Sequence, residues 1–239
     1  MRIVLISDSH SLHEQMAYEL PKGDVLIHAG DCTNVGTEKE VGDFINWFQN
    51  LEFDNKIFIA GNHDLPFESR PNWLNTYLYE ENLHQSNVTY LRDNFLTLDS
   101  PEFSRPIKIY GSPWQPEFYN WAFNLPREGE GLRKKWSQIP DDTDILITHG
   151  PAFGTLDYVV DRYGQRNVGC ELLKERVDEL KPLIHVFGHI HYSYGTEKIN
   201  DTLFINASIC TEQYNPINKP IVVDLTEVDG KFVVTVVEE

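Results

Sequence analysis

The chain has 239 residues, 41% hydrophobic and 24% charged, a composition of ordinary globular type with enough apolar residues for one substantial core. Its formal net charge of -17 argues against a long polyanionic partner, because nucleic-acid binding relies on Lys and Arg neutralising phosphates. Cys32, Cys170 and Cys210 are isolated and outside any CxxC spacing, which excludes a disulfide framework and a thiolate zinc site.

The reading along the chain starts with residues 2–8, RIVLISD, an apolar β-rich run that stops at Asp8, with Ser9 and His10 next. DVLIHAGD (24–31) ends in the same way on Gly30-Asp31. The period then changes. In EKEVGDFINWFQNLE (38–52), Val41, Phe44, Ile45 and Phe48 recur at helical spacing and predict an amphipathic helix. KIFIAGN (56–62) leads into Gly61-Asn62-His63-Asp64, and IKIYGSP (107–113) leads into an aromatic segment with Trp114, Phe118, Trp121 and Phe123. That segment reads as hydrophobic cover over a sheet, with base stacking as the alternative use of a ring near a site mouth. DILITHG (144–150) ends on Thr148-His149-Gly150. CELLKERVDELK (170–181) predicts a second helix through Leu172, Leu173, Val177 and Leu180, stopped by Pro182. LIHVFGH (183–189) ends on Gly188-His189-Ile190-His191, and TLFINAS, PIVVDL and KFVVTVVE (231–238) close the chain with strand after strand. A β-α-β opening with a strand-rich end predicts an α/β sandwich rather than a purely doubly wound sheet. With no repeat, linker or low-complexity tract, one domain over 1–239 is expected. No secretory h-region or long apolar span is seen, which gives a cytoplasmic, non-membrane expectation.

Ligands of open α/β sheets collect at the carboxyl ends of strands, and here metal-binding side chain types end five separate apolar runs. Each alone has an ordinary reading: Asp8 as a helix cap, Asp31 in a turn, Asn62 in a left-handed position, His149 as a core histidine. Jointly they point to one site. Carboxylate, amide and imidazole donors without thiolate suit Mn, Fe or Zn better than a structural cysteine-rich zinc site.

The ordered set DxH, GD, GNHD, HG and GHxH, spanning residues 8 to 191, resembles the calcineurin-like metallophosphoesterases. IYGSPWQPEFYNWAFNLPREGEG (109–131) and the stretch HGPAFGTLDYVVDRYGQRNVGC through GHIH (149–191) are similar to the metallophosphoesterase-domain-containing (MPPED) branch, related to class III cyclic-nucleotide phosphodiesterases. Ala207 stands where the wider family tends to carry Gly. The resemblance implies a four-layer α/β/β/α sandwich, with two mixed β-sheets flanked by helices. It implies a pair of divalent metal ions, Mn, Fe or Zn with Mn foremost in vitro. Asp8, His10 and His191 would hold one ion, Asn62, His149 and His189 the other, and Asp31 would bridge them.

The implied activity is a phosphodiesterase acting on small diesters such as cyclic nucleotides by hydroxide attack, with His63 protonating the leaving oxygen and Asp64 orienting His63 or raising its pKa. A phosphomonoesterase, a nuclease and a metal-binding scaffold with little catalysis are the alternatives. A small phosphoester is the expected partner, without long nucleic acid or membrane, and oligomers are open. His28 and His185 are expected as satisfied strand residues, and His13 and His84 in polar surroundings. Arg127, Arg162 and Arg166 are assigned to the surface or to ion pairs.

Overall fold

The structure is a computed structural model that describes residues 1–81, 83–161 and 164–237. Arg162 and Glu238, the last residue of the predicted final strand, lie outside the described residues, as does the side chain of His84. In chain order the first half supplies β1 (Arg2–Ile6), β2 (Val25–His28), α1 (Glu38–Gln49), β3 (Asn55–Phe58), α2 (Leu65–Ser69), α3 (Pro71–Glu80) and β4 (Val88–Tyr90). The middle adds β5 (Asn94–Leu98), β6 (Ile107–Ser112), β7 (Gln115–Pro116), β8 (Asn124–Leu125), α4 (Glu130–Trp136), β9 (Ile145–Thr148), β10 (Tyr158–Asp161) and β11 (Gly164–Asn167). The end carries α5 (Glu171–Leu180), β12 (Ile184–Phe187), β13 (Gly195–Ile199), β14 (Thr202–Asn206), β15 (Ile221–Val228) and β16 (Lys231–Val237).

Two mixed six-stranded sheets result, ordered β16-β15-β1-β2-β3-β4 and β13-β14-β12-β9-β6-β5. In the first, β1 to β4 run parallel and β15 and β16 are antiparallel additions; in the second, β14, β12, β9 and β6 run parallel. The layering follows from period-two alternation. Ile3 and Leu5 of β1 pack with Ile145 and Ile147 of β9 and Ile184 and Val186 of β12 in the apolar layer between the sheets. Val4 and Ile6 face the other way, onto Val41, Phe44, Ile45 and Phe48 of α1. On the far side, Leu146 and Phe187 pack with Leu132 and Trp136 of α4 and Leu173 and Val177 of α5. The four layers expected from the resemblance are these.

The two predicted helices form for identifiable reasons. Thr37 and Glu40 make a reciprocal capping box at the start of α1, and Lys181, at φ 51°, ends α5 in the left-handed conformation one residue before Pro182. His28 is a satisfied buried strand residue, bonded at its two nitrogens to Ser9 and Cys32, as expected; His185 is buried and bonded to Thr148 through Nε2, but its Nδ1 finds no partner among the described residues, so it is only half satisfied. His13 differs: it is buried and its ring lies against Trp47 and Phe44, because the segment after β1 folds onto α1 instead of facing solvent.

At the carboxyl ends of the parallel strands the two sheets are joined. Ser7, just past β1, bridges to Ser208, just past β14, and the Ile209 amide donates to the Ser7 carbonyl at 2.8 Å. The loops after β1, β2, β3, β9 and β12 therefore converge on one rim.

Candidate metal centre

Along the first sheet the loops are stitched by backbone bonds, Asp8 N–H to the Gly30 carbonyl at 2.9 Å and His10 N–H to the Asp31 carbonyl at 3.0 Å. Asp8, His10, Asp31 and His189 all have positive φ, at 52°, 44°, 53° and 66°. Such a conformation is costly for residues with a Cβ and is characteristic of backbone held in place to aim functional side chains. Two glycines make the close approach possible. A Cβ on Gly61 would collide with the Asp31 carboxylate, and one on Gly188 with the Asp8 carboxylate.

Among the described residues three groups of donor atoms form, each drawn within 4.8 Å: Asp8 with His10 and His191, His10 with Asp31 and His63, and Asp31 with His149 and His189. Asp31 belongs to two of them. His191 Nε2 lies 3.3 Å from Asp8 Oδ1 and 3.2 Å from His10 Nε2, while its Nδ1 donates to the Thr211 carbonyl at 2.9 Å. Across the site, His149 Nε2 lies 3.0 Å from Asn62 Oδ1 and 3.3 Å from Asp31 Oδ2, and its Nδ1 donates to the Ala29 carbonyl. Backbone carbonyls thus fix which nitrogen of each ring faces inward. Ser208 Oγ and the His189 amide donate to Asp8. The seven residues expected as ligands are therefore brought together.

The electrostatics suit cations. Burial pushes the Asp8 and Asp31 carboxyls up, but the surrounding histidines outweigh it and hold both well below the usual carboxylate range. Burial drives His10 down to about 4 and His189 to about 3. Burial also opposes the charge of His149, yet Asp31 carries that imidazole up to about 9. Two ionised carboxylates thus face a buried cluster of imidazoles, and among the described residues His10 Nδ1 finds no hydrogen-bond partner. Carboxylate and imidazole donors with fixed outer carbonyls fit a pair of metal ions.

His63 sits at the edge of this cluster. Its amide donates to Asp31 Oδ1 at 2.8 Å and its Nδ1 donates to the Asn34 carbonyl, which leaves Nε2 as the nitrogen available to the site. Asp64 differs from the role expected for it. Its carboxylate accepts from the amides of Cys32, Thr33 and Gly61 and from the Thr33 hydroxyl, so it ties the loops after β2 and β3 together while Asn34 orients His63. Burial, then the charge of Asp31, raises the Asp64 carboxyl to about 6.

A cleft of about 450 Å³ opens on the cluster, lined by Asp31, Asn62, His63, His189 and His191. Arg127 and Arg166, assigned by sequence to the surface, are on its wall. Arg127 donates to the carbonyls of Val168 and Gly169 and pairs with Glu171, so it braces the wall. The aromatic segment divides. Phe123 is buried, Trp114 bonds to Asp93, Phe118 lines the cleft, and Trp121 stacks on His63. Tyr214, not singled out in the sequence, also lines the cleft, at φ 59°, with its ring against His10 and His191. Its loop has no periodicity, and no sequence signal marks it.

Residues 1–193 match the calcineurin-like phosphoesterase family. Human metallophosphoesterase domain-containing protein 1 is 44% identical over 241 residues, covering 94% of this chain and 71% of that protein. A UPF0046 protein of Caenorhabditis elegans is 39% identical, covering 97% of this chain and 83% of that one. The crystal structure of TT1561 of Thermus thermophilus shares the fold, with a TM-score of 0.57 at 12% identity over 86% of this chain and 88% of that one.

Proposed function

This chain belongs to the calcineurin-like phosphoesterase family, and on that premise we propose that it is a two-metal phosphodiesterase for small diesters carrying a planar organic group, cyclic nucleotides among them. One observation carries the substrate reading. Phe118, Val160, Tyr192 and Tyr214 are large apolar side chains left exposed, and all four line the cleft that opens on the His/Asp cluster. Exposed apolar surface grouped around polar donors is the usual character of a small-molecule site. A cleft of about 450 Å³ has room for a mononucleotide, and the charge of -17 adds a bias against polyanions.

Asp8, His10 and His191 would hold one ion and Asn62, His149 and His189 the other, with Asp31 shared. When bound, such a pair supplies Lewis acidity and an ionised water at neutral pH, Mn being the ion of choice for loading in vitro. The chain's own part is to fix the inward nitrogens through Ala29 and Thr211, to brace the cleft wall through Arg127, and to hold a proton on His63 Nε2 for the departing oxygen. The three free, buried cysteines fit a reducing, cytoplasmic setting.

The test is a substrate panel with Mn-loaded protein: cyclic nucleotides, bis(p-nitrophenyl) phosphate, p-nitrophenyl phosphate and single-stranded DNA. Higher kcat/KM for the small diesters is expected. Preference for the monoester or DNA would replace this reading with a phosphatase or nuclease, and two bound ions without turnover would make the protein a scaffold.

A further inference from the structure

We propose that Trp121 is a positioning residue that sets the plane of the His63 imidazole, an inference that rests on His63 being the proton donor. The two rings stack at 4.1 Å between centroids with an interplanar angle of 24°. On its other contacts His63 meets the His10 ring edge-on at 4.6 Å, and its Nδ1 is bonded to the Asn34 carbonyl. That single bond leaves the ring free to tilt about it. The indole removes the tilt, so Nε2 keeps one direction.

Trp121 has no other evident task. Among the described residues it belongs to none of the three apolar clusters, although its neighbours Ala122 and Phe123 are buried in one of them. The cleft wall is formed by His63 in front of it, with Trp121 stacked behind that ring and outside the lining. Its backbone, by contrast, is registered to the loop that carries His63. The Ala122 amide donates to the Asn62 carbonyl at 3.1 Å, and the Phe123 amide donates to Glu68 Oε2 at 2.7 Å. Residues 121–122 and 62–63 thus sit side by side, and the indole is delivered to the imidazole face by a backbone bond one residue away. The strand-like turn from β7 to β8 exists, on this view, to bring a flat surface to His63.

The experiment compares Trp121→Leu, Trp121→Phe, His63→Asn and the double variant Trp121→Leu/His63→Asn in Mn-loaded protein. Stacking of this kind corresponds to about tenfold. For a diester with an alkoxide leaving group, Trp121→Leu is expected to lower kcat about tenfold with KM held within about twofold. The loss should be absent with a nitrophenolate leaving group, mostly restored by Phe, and absent when His63 is already Asn. A loss that persists in the His63→Asn background, or is equal for both leaving groups, overturns the proposal, as does no loss at all. A second measurement does not depend on turnover. In the wild type the His63 ring protons should carry an upfield ring-current shift in the NMR spectrum that Trp121→Leu abolishes; unchanged shifts refute the stack even if the protein hydrolyses no phosphoester.

Discussion

His10 and His191 hold their Nε2 atoms 3.2 Å apart although one follows β1 of the first sheet and the other follows β12 of the second. With His191 Nδ1 committed as a donor to Thr211, the two inward nitrogens share one small space with Asp8. With the proton of His10 on Nε2 the pair makes one N–H···N hydrogen bond, and a cation between them would instead take both nitrogens as ligands.

Purified protein is accordingly expected to hold about two transition-metal ions per chain. Because Asp31 Oδ2 lies 3.9 Å from His10 Nε2 on one side and 3.3 Å from His149 Nε2 on the other, Asp31→Asn should empty both positions, whereas Asp8→Asn should chiefly empty one. Metal analysis after gel filtration decides this, and loss of a single ion from Asp31→Asn would end the idea of a bridge. Gly188→Ala should mimic Asp8→Asn, since the added Cβ displaces that carboxylate.

His63→Asn, with both ions retained, should slow diesters with alkoxide leaving groups by roughly 10² to 10⁴, the scale of general acid catalysis. Nitrophenolate departs without a proton, so its esters should be affected far less. Kinetics on the two substrate types at equal metal content check this; equal losses would mean that His63 places a ligand or a phosphate.

Trp114→Ala should act on stability and not on base recognition. Its Nε1 donates to Asp93, which also accepts from Ser112 and Lys135, and Lys135 Nζ stands 4.2 Å over the indole. Removal should cost on the order of 3 kcal/mol, the usual scale for a large aromatic truncation. Denaturant unfolding measures the loss, and KM should change equally for a cyclic nucleotide and bis(p-nitrophenyl) phosphate. A selective rise for the nucleotide would contradict the assignment.

His185 should make the fold acid-sensitive. Thr148 Oγ1 donates to the Gly150 carbonyl, so His185 Nε2–H donates to that hydroxyl, and Nδ1 is left buried without a partner. Burial lowers this imidazole from 6.5 to about 3. A depressed pKa means the unfolded chain takes up the proton first, so stability is intact above pH 6.5 and falls progressively toward pH 3. His185→Gln keeps a donor to Thr148 and removes the titration. At pH 5 it should recover about 2 kcal/mol relative to wild type, compared with the difference at pH 7.5. Paired urea melts at the two pH values supply the measurement, and an unchanged difference would count against it.

What the sequence revealed depended on how many side chains shared one constraint. Val4 and Leu5 alternate between two apolar layers, and the strands around them read plainly. The ligand-type residues read equally well, since each ends such a run. α3 carries Trp73, Leu74, Tyr77 and Leu78 at helical spacing, but only Leu74 is fully buried and the period is short; the described part of β11 is exposed throughout and has no apolar period to detect. Asp64 was misassigned for a different reason. Adjacency to His63 in the chain says nothing about direction, and the turn sends its carboxylate to Thr33. Trp121 and Trp114 lie in one aromatic run, and only the fold separates their partners.

The inward donors come from both sheets, Asp8, His10, Asp31 and Asn62 from loops of the first and His149, His189 and His191 from loops of the second. Ions held there would act as a further clasp at the fore-edge of a book whose spine is the apolar layer between the sheets. Without them the same edge is held by the Ser7–Ser208 bridge, the Ile209 amide on the Ser7 carbonyl and the His189 amide on Asp8. Binding at such a clasp would add to stability by mass action, so the chain's resistance to unfolding would rise with the free concentration of the ion it takes.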